Sequence, residues 1–213
     1  NKENNIRKAA RLALEGMYAV TIDCAGCGDS ALGPIDALSC WRMTFAQIDK
    51  LVEYYRSTGS QADASNFGLY GKSMGANISY GYVAHGKYDP TVIVVENGTP
   101  DYLTLNEPLH GAFDHGASGH QYAQMPEREV NVIADRIAPI HQPEAFLNVA
   151  LYVGSWTNDR YAPLSGNQAL KSYLDAQGGT KHTFKFYEGD FHGEAFPEDF
   201  DFIAAFKQYL INE

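Results

Sequence analysis

No stretch of these 213 residues approaches the ~18 consecutive apolar residues that a membrane-spanning helix needs. Basic charge is scarce as well. Sixteen Lys and Arg stand against 26 Asp and Glu, a formal charge of −10. That balance argues against a nucleic-acid partner, which basic surfaces hold, and against docking on an anionic membrane. Cysteine is sparse and odd in number, at Cys24, Cys27 and Cys40, so no disulfide framework is expected. Cys24-Ala-Gly-Cys27 has C-x-x-C spacing, but no second ligand pair and no following helix N-terminus accompany it. Small residues after a strand explain it better than redox or metal chemistry. No signal peptide is visible, and the first residue is Asn1 rather than Met. The compartment stays open, with the cytoplasm favoured. Internal repeats and low-complexity tracts are missing too. The remaining composition, 45% hydrophobic and 20% charged, is that of a globular chain of a length suited to one domain with one core.

Helical and strand patterns alternate along the chain. Residues 5–15 place Ile6, Ala9, Ala10 and Leu14 on one helical face, with Gly16 as a C-cap. Tyr18-Ala-Val-Thr-Ile22 reads as a short strand running through Asp23 into the Gly-rich loop Gly26–Ser30. A helix over 41–57 repeats Phe45, Ile48, Leu51, Val52 and Tyr55 at helical spacing. Residues 66–71 read as a strand and 74–85 as a helix. Thr91-Val-Ile-Val-Val95 has the continuous β-branched character of a strand buried on both faces. Residues 97–145, with Pro100, Pro108, Pro126, Pro139 and Pro143, read as a lid-like excursion over the sheet with a helix near 127–136. Alternation then resumes: strand 148–153, helix 164–177, strand 182–187 and helix 198–211, the last with Phe202, Phe206, Tyr209 and Leu210 inward. The expected fold is α/β in a single domain: a mostly parallel sheet with helices on both faces. In such sheets ligands sit at the carboxyl ends of the strands, here the loops after 23, 72, 96, 154 and 187.

One of those loops carries Gly71-Lys72-Ser73-Met74-Gly75, a G-x-S-x-G pattern between a strand and a helix. A serine at so tight a turn has a strained backbone. Side chains at 71 and 75 are expected to collide there, so both positions call for glycine or another very small residue. The turn would lift the Ser73 hydroxyl above the sheet and set the Met74 backbone N–H, at the helix N-terminus, to face a developing oxyanion. The plainer alternative is that Ser73 only caps the helix.

A serine hydroxyl needs a positioned base. Of seven histidines, His192 sits in a Gly-flanked loop between the last strand and the last helix, at the carboxyl edge. His85 ends a helix, His182 starts a strand at the opposite edge, and His110, His115, His120 and His141 lie in the excursion. The acid that orients the imidazole is expected to be Asp159, in the loop after strand 148–153, with Asp190 as competitor. The chain order is then Ser73, Asp159, His192.

Gly71–Gly75, Asp159–Pro163 and Gly189–Gly193, with the softer Asp23-x-x-Gly26-x-Gly28-x-Ser30, resemble the α/β-hydrolase superfamily, and within it the esterase and dienelactone-hydrolase-like branch. Dienelactone hydrolases carry Cys where this chain has Ser73. The resemblance implies a Ser73–His192–Asp159 catalytic triad acting through an acyl-enzyme on a small acyl ester or thioester, with no cofactor and no metal. It also implies three earlier strands and a loop that supplies the second oxyanion donor, neither of which is in this sequence. We therefore expect a fragment of a longer chain, with an open slot between strands 18–22 and 66–71 where the fold's third strand belongs. A prolyl-oligopeptidase-like peptidase uses the same triad, and a non-catalytic binding module shares the fold. His110, His115 and His120, five residues apart with Asp114 nearby, do not align on a helix face, and we expect no metal there. Tyr102, Phe113 and Tyr122 suit an apolar pocket under the excursion, or core packing. The glycosylation patterns at Asn77 and Asn97 are expected to be coincidental.

Overall fold

Val92-Ile-Val-Val95 has a β-branched or branched aliphatic side chain at every position, so neither face of such a strand can be left to water. A computed structural model describes residues 5–25, 37–59, 62–105, 127–192 and 194–211. In it these residues form β2 (Val92–Glu96), buried at all five positions. With β1 (Gly68–Lys72), β3 (Ala150–Trp156) and β4 (His182–Tyr187) it makes a four-stranded sheet in the order β1-β2-β3-β4, every pair parallel. The alternation of a pleated strand then sorts the core. Ile93, Val95, Leu151 and Val153 meet Ala76, Tyr80 and Val83 of α3 (Met74–His85) and Leu170 and Leu174 of α5 (Ser165–Ala176). Val92, Val94 and Ala150 face the other way, against Phe202, Ala205 and Phe206 of α6 (Phe202–Leu210). Each buried Val, Leu or Ile among them contributes about 1.5–3 kcal/mol. Helices therefore cover both faces, and the strand and helix boundaries fall within a few residues of those expected.

A further layer lies outside α3. Trp41, Phe45 and Ile48 of α2 (Ala37–Ser57) pack on Ile78 and Tyr82, joined by Ala134 of α4 (Glu127–Ile137) and by Ala138. The helix expected near 127–136 is present as α4. The described parts of the 97–145 excursion pack into this layer: the Ile140 N–H donates to the Pro100 carbonyl at 3.0 Å. Tyr102 is 1% exposed, edge-on to Trp41, and its hydroxyl donates to the Asn77 carbonyl. It is a core residue rather than a pocket wall. Residues 106–126, which hold His110, Phe113, Asp114, His115, His120 and Tyr122, lie outside the described residues. Among the described residues no helix is long and apolar enough to cross a membrane.

Two expectations at the N-terminal end need correction. Helix α1 (Ile6–Leu14) forms, but Ile6 is 54% and Leu14 87% exposed. The inward face instead carries Lys8 and Leu12. Leu12 joins the α6 cluster, and the Lys8 ammonium lies 4.1 Å from the Tyr70 ring and 2.9 Å from the buried Glu96 carboxylate. Both faces of this helix have helical spacing, and a lysine with a long aliphatic stem can cover apolar surface as a leucine would. Residues 18–22 are not a strand. Tyr18 and Val20 are exposed, Ile22 packs into the α2 layer, and no ladder joins them to β1. A strand exists only through a partner, and among the described residues β1 pairs with β2 alone.

Candidate active site

The carboxyl ends of β1, β2, β3 and β4 share one rim, because the sheet is parallel throughout. At β1 the backbone turns sharply. Ser73 has φ 53° and ψ −119°, a left-handed conformation costing a non-glycine residue about 1–3 kcal/mol. Its surroundings hold it there. The Ser73 N–H donates to the Glu96 carbonyl of β2 at 2.8 Å, and its own carbonyl accepts from the N–H groups of Ala76 and Asn77 at 2.9 and 3.1 Å. A Cβ on Gly71 would fall 2.1 Å from the Gly75 carbonyl oxygen, so the strand can pass this close to the helix only as glycine. The expectation that Gly75 is constrained in the same way is corrected: a Cβ there meets nothing within 4 Å. The crowding is between the residue-71 side-chain position and the residue-75 backbone, and it is one-sided.

The Ser73 side chain makes no capping hydrogen bond to α3, which removes the plainer reading of this serine. Its Oγ is 2.8 Å from His192 Nε2. On the far side of the imidazole, Nδ1 lies 2.9 and 2.7 Å from Oδ1 and Oδ2 of Asp159. A carboxylate can only accept, so Nδ1 carries the proton and Nε2 presents its lone pair to the serine hydroxyl. The structure thus brings Ser73, His192 and Asp159 into one hydrogen-bonded row. Asp190, the competing acid, is exposed.

The Asp159 side chain is 1% exposed. A carboxylate can be buried this deeply only when donors surround it, and the turn after β3 supplies them: the N–H groups of Tyr161 and Ala162 both donate to Oδ1, at 2.9 and 3.1 Å. The Asp159 and His192 loops are also joined to each other. Thr157 N–H donates to the Tyr187 carbonyl and Asn158 N–H to the Gly189 carbonyl, each at 2.8 Å. Gly189, at φ 146°, sits where a Cβ would press on the Phe191 ring at 2.7 Å. Sequence reasoning did not single out Thr157 or Tyr161, because backbone donors and loop ties leave no periodic trace in composition.

Met74 is the first residue of α3, so its N–H lies ahead of the helix's own hydrogen-bond ladder. The Gly-rich stretch 26–30 lies outside the described residues. Among the described residues no group of three or more His, Cys, Asp and Glu is placed to hold a metal ion. Cys40 is buried and Cys24 half-buried, both as thiols, while Cys27 is outside the described residues. Asn97 and Asn77 are 1% and 5% exposed, which bars both as glycan acceptors in the folded chain.

Comparison with solved structures places this architecture. The chain superposes on TT1662 from Thermus thermophilus with a TM-score of 0.67 at 16% identity, over 99% of this chain and 84% of that one. It superposes on a Paleococcus ferrophilus monoacylglycerol lipase with a TM-score of 0.60 at 15% identity, covering 100% and 90%. The chain has the α/β-hydrolase fold. A Mycobacterium tuberculosis puromycin-hydrolyzing peptidase aligns with a TM-score of 0.57 at 14% identity over 76% of this chain, which spans only 24% of the peptidase. No family model and no curated protein matches the sequence.

Proposed function

We propose that this chain carries a serine hydrolase centre that cleaves carboxylic esters through an acyl-enzyme, with Ser73 as nucleophile, His192 as base and Asp159 as the acid that orients it. The observation that carries this reading is the continuous row from Ser73 Oγ through the two nitrogens of His192 to Asp159, with contacts of 2.8 and 2.7 Å. His192 Nε2 takes the hydroxyl proton as Oγ bonds to the substrate carbonyl carbon. The carbonyl oxygen becomes an oxyanion beside the Met74 N–H and the positive end of α3. His192 returns the proton to the departing alcohol as the C–O bond breaks. A water molecule then repeats both steps on the acyl-serine, releasing the acid and free Ser73. Asp159 stays ionised and stabilises the imidazolium that forms twice per cycle. No step needs a metal or an organic cofactor.

A thioester would react by the same route. Amide cleavage is the second reading, suggested by the likeness to a puromycin-hydrolyzing peptidase. The test is hydrolysis of nitrophenyl acyl esters beside aminoacyl anilides by the intact protein and its Ser73→Ala variant, with fluorophosphonate labelling of both. Loss of ester turnover and of labelling on substitution is the expected result. Full ester turnover by Ser73→Ala would discard the nucleophile assignment, and an unlabelled but folded native protein would favour a non-catalytic binding module. Preferential anilide cleavage would move the assignment to the peptidases.

A further inference from the structure

An imidazole hydrogen-bonded only through its two nitrogens, Nε2 to the Ser73 hydroxyl and Nδ1 to both carboxylate oxygens of Asp159, is fixed within its own plane but can still tilt about the line through those nitrogens. The His192 side chain is 20% exposed and is carried on a loop, where such tilting meets little resistance. One side of the ring has an aromatic neighbour. The Tyr161 ring lies against it with centroids 4.9 Å apart and planes inclined by 59°. Tyr161 is itself anchored at both ends. Its backbone N–H donates to Asp159 Oδ1 at 2.9 Å, and its hydroxyl accepts from Arg160 Nη2 at 2.6 Å, with the guanidinium carbon 4.6 Å from the same ring. A single residue therefore touches both the acid and the base.

We propose that Tyr161 is a positioning residue for His192, its ring holding the imidazole plane so that Nδ1 faces Asp159 while Nε2 faces the Ser73 hydroxyl. This rests on the hydrolase reading above. The ring has a second effect in the same direction. When His192 takes the serine proton it becomes a cation, and a cation over the face of an aromatic ring, within about 6 Å of its centroid, is attracted by the ring's quadrupole; the two centroids here are 4.9 Å apart. That attraction arises only after proton transfer begins, so it lowers the barrier without tightening ground-state binding of substrate. The ring, not the hydroxyl, is the working part, and the Arg160 contact only steadies it.

The experiment compares Tyr161→Phe, Tyr161→Leu and Tyr161→Ala with the native protein and with Ser73→Ala. Each variant is checked for folding by circular dichroism. Tyr161→Phe should keep kcat within about twofold. Tyr161→Ala, which frees the imidazole, should lose ~10–100-fold in kcat, the scale of a small misplacement of a catalytic group. Tyr161→Leu restores bulk without the quadrupole and should fall between them, with KM little changed throughout. An independent readout is the downfield proton resonance of a histidine Nδ1–H bonded to a carboxylate, which should persist in the native and Phe proteins and broaden or vanish in the Ala variant. Native kcat together with an unchanged resonance in folded Tyr161→Ala would overturn the proposal. So would a Phe variant as impaired as the Ala variant. If Ser73→Ala turns over ester normally the hydrolase reading fails, but the resonance still reports whether Tyr161 orders His192.

Discussion

Gly71→Ala and Gly75→Ala add the same methyl group to the two glycines of one pentapeptide, yet they face different surroundings. At 71 the new carbon would lie 2.1 Å from the Gly75 carbonyl oxygen, 2.3 Å from its carbon and 2.6 Å from the Ala76 nitrogen. All three are backbone atoms in the first turn of α3, so no side chain can rotate away. Restoring ordinary contact requires about 1.3 Å of movement between β1 and α3, beyond the usual 1–3 kcal/mol range of overpacking. We expect a loss of at least ~3 kcal/mol, which for a chain of this size lowers Tm by roughly 6–12 °C. The same movement separates Ser73 Oγ from His192 Nε2, now 2.8 Å apart, and a displacement of that order costs ~100-fold in rate. At 75 the methyl meets nothing within 4 Å. There alanine should leave stability unchanged or raise it by up to about 1 kcal/mol through helix propensity. Thermal unfolding of both variants, with ester turnover on the same samples, decides the matter. Equal destabilisation at the two positions, or a neutral Gly71→Ala, would refute the one-sided account of this turn.

Asn167→Leu should destabilise by ~3 kcal/mol or more, measured by urea unfolding. It strands the Tyr80 hydroxyl, the Gly98 carbonyl and Ser155, all buried and all bonded to that amide at 2.7–2.8 Å, at about 1–3 kcal/mol for each unpartnered group. Glu53 is held down from an ordinary value near 4.5 to about 2, first by its hydrogen bond from Lys87 and then by that from Lys50. A depressed carboxylate stabilises the fold above its unfolded value and loses that effect as pH falls through its folded one. The stability gap between native protein and Glu53→Gln should therefore be present at pH 7, shrink below about pH 4.5 and be gone near pH 2. A gap that persists at pH 2 would mean the Glu53 side chain acts by packing and not by charge.

Local pattern alone carried the alternating elements and the strand–Ser–helix turn, because side-chain periodicity and turn chemistry are properties of neighbours in the chain. The continuous β-branched run at 92–95, the helix at 74–85 and the strand at 182–187 could be read that way. So could the candidate row of Ser73, Asp159 and His192, since a parallel sheet delivers all its strand ends to one rim. Three other features depended on partners remote in sequence. Residues 18–22 have strand composition but no ladder to join among the described residues, because pairing belongs to two segments and not to one. The inward face of α1 was ambiguous until Glu96, 88 residues away, drew Lys8 toward the sheet. Tyr161 against His192 is a contact between two loops, and only the folding of β3 beside β4 brings those loops within reach of each other.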